Sequence, residues 1–237
     1  KNGQLYNVNY FEFHRDEDVI KLADDPDYDQ TKFEEKLEIK GDNDHTKLIA
    51  MLNALNDYSV PMSDILGKYF DTENLAYWMA FQLLTGNTDT QSRNMYLYSP
   101  TNSDTFYVLD WDNDGMLMRK EYEIKQRSDG KSWENGISNY WGNMLFSRCL
   151  QTKSFRTALD KAIQDEYKYM NANRINSMVK HYRSITEQYV WKMPDSMYEG
   201  VTKSQYDVIA NQLHSEIEQN YQTYQTGFNK PMPFYIG

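Results

Sequence analysis

The stretch Thr72–Thr85 carries Leu75, Tyr77, Trp78, Phe81, Leu83 and Leu84, so a helix here is apolar on nearly every side. Such a helix cannot sit half in water; other elements must cover it all round. Its ends are marked as well. Asp71 offers a side-chain oxygen to the free N–H groups of the first turn, and Gly86 can take the left-handed conformation that closes the last. The rest of the chain is therefore expected to be built around this segment. With 237 residues it can bury a sizeable core without staples.

Around that helix the patterns change. Residues 3–13 partly alternate and predict a strand or two. Residues 24–43 are acidic and poorly periodic, and predict an ordered loop with a short strand near Leu37–Ile39. Asp44 can cap a helix over 45–57, and Pro61 can open another short one. After Gly86, Met95–Tyr98 and Phe106–Leu109 predict strands joined through a loop of turn-forming residues. Ser128-Asp-Gly130 predicts a turn. Helices are expected over 143–150, 153–169, 172–192 and 203–226, the last opened by the capping box Thr202-x-x-Gln205. The tail around Pro231-Met-Pro233 is expected to be extended. The fold class is α+β and mostly helical: one domain over 1–237, with a core and central hairpin in 1–142 and a helical part in 143–237.

The chemistry concentrates at two places. Asp110-Trp-Asp112-Asn-Asp114-Gly115 sets three carboxylates at alternate positions before a glycine, which can hold a hard divalent cation through oxygen. Upstream, Asp89-x-x-x-x-Asn94 has the spacing of a kinase catalytic loop, where Asp orients the attacking hydroxyl and Asn binds a metal ion. Alone, that spacing recurs by chance; Asp89 and Asn94 could equally be turn residues. A two-strand hairpin fits between the two signals, which makes phosphoryl transfer the leading reading. Asp110, Asp112, Asp114, Gly115 and Glu121 also satisfy the EF-hand calcium-loop pattern. An EF-hand needs a helix entering its loop, and Thr-Phe-Tyr-Val-Leu predicts a strand.

Other chemistries find no support. His14, His45, His181 and His214 lack partners at zinc-site spacing. His14-Arg15-Asp16 spells a kinase triplet without the following asparagine, and is expected to be surface charge. Phosphate-binding glycine loops and the hydrolase nucleophile elbow are missing. Cys149 lies among apolar residues and is expected to be packed. A net charge of -10 argues against nucleic acid and suits a basic protein partner, although solubility alone commonly explains such a charge. No apolar run is long enough for a membrane span. The first residue is Lys1 rather than Met, which suggests that an upstream segment has been removed.

At these residues the chain resembles the CotH kinase family, atypical protein kinases associated with bacterial spore coats. The resemblance lies in the apolar helix Leu75–Leu84, Asn87-Thr88-Asp89, Asn94-Met-Tyr-Leu-Tyr98 and Asp110-Trp111-Asp112-Asn-Asp114. Asn2-Gly3-Gln4-Leu5-Tyr6 and Gly136-Ile-Ser-Asn-Tyr-Trp-Gly142 are further similar stretches. It implies a divergent kinase-like C-terminal lobe and an ATP-dependent protein Ser/Thr kinase. By it Asp89 is the catalytic aspartate, Asn94 and Asp112 hold magnesium or manganese with ATP, and Asp114 supports them at the metal. A basic, Ser-rich protein substrate and a spore-coat or bacterial surface location are likewise implied. Two departures stand out. Asp110 replaces the family's proline, adding a charge beside the metal site. The N-terminal lobe that contacts the nucleotide is expected to be absent, since Lys1 and Lys21 sit in no matching motif. A catalytically incompetent fragment or binding module with the same fold, and a calcium-stabilised domain using 110–121, are the alternatives.

Overall fold

The computed structural model describes residues 3–126, 137, 139–198 and 200–227. The expected turn at Ser128–Gly130, the tail around Pro231, and Asn2, Gly136 and Ser138 of the resembling stretches lie outside them. In chain order the elements are β1 (Gly3–Val8), α1 (Gln30–Glu34), β2 (Leu37–Ile39), α2 (Thr46–Asn56), α3 (Met62–Tyr69) and α4 (Thr72–Thr85). There follow β3 (Met95–Pro100), β4 (Tyr107–Asp110), α5 (Arg119–Ile124), α6 (Met144–Gln151), α7 (Lys153–Tyr169), α8 (Ala172–Val190) and α9 (Lys203–Gly227). The fold is α+β and mostly helical, with a small antiparallel sheet of order β2-β1-β3-β4. No helix among the described residues is long and apolar enough to cross a membrane.

α4 is the buried axis that its composition requires. Leu75, Trp78, Met79, Leu83 and Leu84 are all buried, and α7, α9 and β4 pack against it. Trp78 stacks on Phe146 of α6 with ring centroids 5.4 Å apart. Asp71 accepts the Asn74 N–H at 2.8 Å, and Gly86 closes the helix at φ 64°. On the sheet side, β3 alternates buried Met95, Leu97 and Ser99 with half-exposed Tyr96 and Tyr98, as a one-sided strand must.

Several local readings need correction. Only Gly3–Val8 forms a strand; Tyr10 and Phe13 take positive φ, which ends the extended run before residue 13. The acidic stretch contains a helical turn, α1, because Asp29 caps it and Phe33 is buried against Tyr6, Tyr28 and His45. α2 starts at Thr46, so Asp44 sits one residue before the cap and accepts from the Thr46 N–H and hydroxyl. His14-Arg15-Asp16 is not only surface charge: Arg15 donates to Asn53 Oδ1 and to the Ile20 carbonyl, tying its loop to α2. The reciprocal bonds between Thr202 and Gln205 match the capping box, and Cys149 is buried.

Candidate functional site

The site grows from the C-terminal end of α4. Past Gly86 the buried Asn87 side chain accepts the Asp89 N–H at 3.2 Å, folding Thr88–Thr90 into a 3-10 turn. That turn presents Asp89 half-buried. Its Oδ1 accepts from Arg93, four residues further on, at 2.8 Å. Arg93 also covers the Tyr10 ring, 5.0 Å from its centroid, and bonds the Tyr10 hydroxyl. The hydrogen bond to Asp89 holds the Arg93 guanidinium above its ordinary range. Arg93 therefore fixes one carboxylate oxygen of Asp89 and leaves the other outside that bond.

The second turn, Asn113–Gly115, follows Asp112, which stands in the left-handed region at φ 52° and ψ 61°. Gly115 packs directly on the first turn. A Cβ placed there would lie 2.9 Å from Asn87 Oδ1 and 3.3 Å from Asp89 Oδ2. Only a residue without a side chain lets the two turns approach so closely. Asn87 Nδ2 donates to Asn113 Oδ1 at 3.1 Å, and Gln82 of α4 donates to Asp110 Oδ1 at 2.8 Å. These amides pin the acidic loop to the end of the buried helix.

Asn94 reaches the same region through the sheet. Met95 pairs with Asp110 at the end of the β3–β4 ladder, which leaves Asn94 and Trp111, the residue before Asp112, just beyond that end of it. Asn94 and Trp111 line one cleft of about 600 Å³, together with Asn7, Asn9, Glu34 and Glu38. Asn94 is left-handed too, at φ 57°. Asn and Asp tolerate that region better than other residues with a Cβ, and strained positions gather at functional sites. The structure thus brings Asp89 against the Asp112–Gly115 turn and Asn94 alongside Trp111.

Among the described residues, the side chains of Asn94, Asp112 and Asp114 have no hydrogen-bond or ion-pair partner, and Asp112 and Asp114 are exposed. They are uncommitted oxygen donors of the hard type that magnesium and manganese prefer. No group of three or more His, Cys, Asp or Glu side chains is poised for a metal among the described residues. One amide and two carboxylates are few donors, so an ion held by them would take further oxygens from phosphate and water.

The calcium-loop reading fares differently. The entering element is the strand β4, Asp110 turns to Gln82, and Glu121 on α5 is engaged by Lys125 just past that helix. A loop that wraps its own ion needs these side chains turned inward together, and they are not. The charge at Asp110 is also accommodated. Although one side of it meets solvent, burial of the carboxyl pushes its pKa up, while Gln82 and Asn113 draw it down. Behind it, Glu166 of α7 is pushed up to about 8 by burial, with the nearby Asp110 carboxyl adding to the rise.

A family profile described as CotH kinase protein matches residues 1–224. The chain belongs to the CotH kinase family. No curated protein matches it. Membership implies a kinase-like domain, nucleotide and divalent-metal use in general, and a protein substrate. The sequence pattern gives no role to Gln82, Arg93 or Asn113, and Asn87 enters it only as the first residue of Asn87-Thr88-Asp89. A signal for Gln82 existed: it is the one polar residue in the run Phe81–Leu84.

Proposed function

We propose that this CotH-family domain is an ATP- and divalent-metal-dependent protein Ser/Thr kinase in which Asp89 orients the acceptor hydroxyl. The observation that carries the reading is the seat of Gly115 on Asp89, which supports one site built from both acidic signals. Arg93 holds Asp89 Oδ1, leaving Oδ2 to take the proton of a serine or threonine hydroxyl as its oxygen attacks the γ-phosphorus. The bond from the γ-phosphorus to the bridging oxygen of ADP breaks as the new one forms. Asn94 and Asp112 bind the metal that accompanies ATP, and Asp114 supports them; when bound, that cation neutralises charge on the phosphates. Gln82, Asn87 and Asn113 keep the loop in place so that little reorganisation is left for the reaction itself. Glutamates along the cleft beside Asn94 favour a basic, Ser-rich acceptor segment. By family, the expected setting is a bacterial spore coat or cell surface.

The test is radiolabelled phosphate transfer from manganese-ATP to a basic Ser-rich acceptor, comparing the native protein with Asp89→Asn. Asparagine keeps the shape but cannot accept the proton. Transfer should fall about a hundredfold or more. Equal rates would return Asp89 to a turn-forming role. Metal-nucleotide binding without any transfer would instead make the domain a binding module.

A further inference from the structure

A second concavity, of about 490 Å³, lies between α4, α8 and the N-terminal half of α9. Its walls include Phe81, Leu117, Ile175, Met178 and Leu213. The size falls within the range of about 300–1,000 Å³ typical of small-molecule sites. α8 leaves room for an occupant. None of its residues is buried, and Met178 and Tyr182 stay 47% and 58% exposed although both line the cavity. An amphipathic helix normally buries its apolar stripe; this one spans a gap.

Among the described residues, the rim carries a single available cation. Arg174 lies 3.7 Å from the centre of the Tyr169 ring, and both residues border the cavity. Among the described residues no carboxylate pairs with Arg174. Arg183, the other arginine at the rim, is already held by Glu187 and Asp207. In a chain of net charge -10, an arginine without an acidic partner beside an apolar cavity is complementary to one anionic head group. Stacking on Tyr169 fixes the guanidinium plane and leaves its N–H edge to donate.

We propose that this groove binds a long-chain fatty acid, with the hydrocarbon against α4, α8 and α9 and the carboxylate on Arg174. The site adjoins the far end of the acidic loop, with Met116 and Leu117 on its wall, but contains none of the loop's carboxylates and does not depend on phosphotransfer. One isolated cation matches one head group, and the unbranched side chain of Met178 can adjust to a flexible chain.

The experiment titrates the full chain with parinarate, a fluorescent long-chain carboxylate, below its micellar concentration. Saturable one-to-one binding is expected. Arg174→Glu should weaken it at least about tenfold, the loss of one charge-assisted contact. Met178→Trp, at an exposed position on the cavity wall, should abolish it while circular dichroism and melting stay unchanged. Absence of saturable binding would overturn the proposal, as would an unaltered affinity in Arg174→Glu. Equal affinity for the neutral long-chain alcohol would do the same. Binding only after removal of residues 228–237 would make the chain's own tail the occupant and likewise overturn it. So would saturation by an amphipathic helical peptide with no response to the fatty acid, since the groove would then belong to a protein.

Discussion

Gly115→Ala sets the two halves of the site against each other. The added methyl carbon would lie 2.9 Å from Asn87 Oδ1 and 3.3 Å from Asp89 Oδ2, both inside comfortable contact. Asn87 cannot swing away cheaply. It is fully buried, its Oδ1 accepts the Asp89 N–H, and its Nδ2 donates to Asn113. Relief requires either separating the turns or breaking one of these bonds. Overpacking of this kind costs about 1–3 kcal/mol, and a lost neutral hydrogen bond about 0.5–1.5 kcal/mol, so a destabilisation of about 2 kcal/mol is expected. For a domain of this length that lowers the melting temperature by roughly 4–8 °C. Gly67, in α3, provides the control, because nothing lies within 4 Å of its added Cβ. The same change there should stabilise by about 0.5–1 kcal/mol through helix propensity alone. Thermal and urea melts of both variants, with phosphate transfer measured at a temperature where both are folded, test the argument. Gly115→Ala should lose transfer as well as stability, and Gly67→Ala neither. If Gly115→Ala melts like the native protein and transfers phosphate at the same rate, the close contact between the turns does not matter and the site argument fails.

Asp112→Ala should reduce manganese-ATP affinity by about tenfold or more while the fold persists, because an exposed oxygen ligand is lost; calorimetry with unchanged affinity would remove Asp112 from the metal. His45 is buried among Tyr6, Tyr28 and Phe33, and burial depresses its pKa from 6.5 to about 4. Its folded value lies below the unfolded one, so the stability it contributes is complete above pH 6.5 and is lost as pH falls towards 4. The loss is about 3 kcal/mol at the low end. Urea midpoints between pH 7 and 4 should show this fall, and His45→Phe should flatten it. Glu166 has the opposite sign: its folded pKa is raised from 4.5 to about 8, so the stability its proton contributes is complete below pH 4.5 and is lost as pH rises through 8. Glu166→Gln should therefore gain midpoint relative to the native protein at pH 9 and differ little at pH 4.

What could be read from the sequence is what local chemistry decides. α4 needed only its apolar residues, Asp71 and Gly86, and its limits agree to the residue. The hairpin needed only turn residues between two β-forming runs, and its last pair, Met95 with Asp110, leaves Asn94 and Trp111 at the same end of the sheet. α1 escaped notice because its five residues have no helical period of their own; Phe33 becomes helical by burial among aromatic rings distant in sequence. The break after Val8 was hidden for the same reason, since Phe11 and Phe13 look strand-like but are drawn into the core from a looped backbone. At the site, the residues that face solvent announced themselves by charge and spacing. The ones that hold them did not. Gln82, Asn87 and Asn113 are ordinary amides whose meaning comes from meeting one another across three separate segments. Asp110 is the clearest case. Two residues before Asp112 it promised a third carboxylate for a cation, but at the end of β4 it accepts from Gln82 instead. Alternate residues of a continuous strand would share one face. The strand ends at Asp110 and the backbone turns left-handed at Asp112, so the alternate spacing no longer holds the acids on one face and Asp110 serves the scaffold.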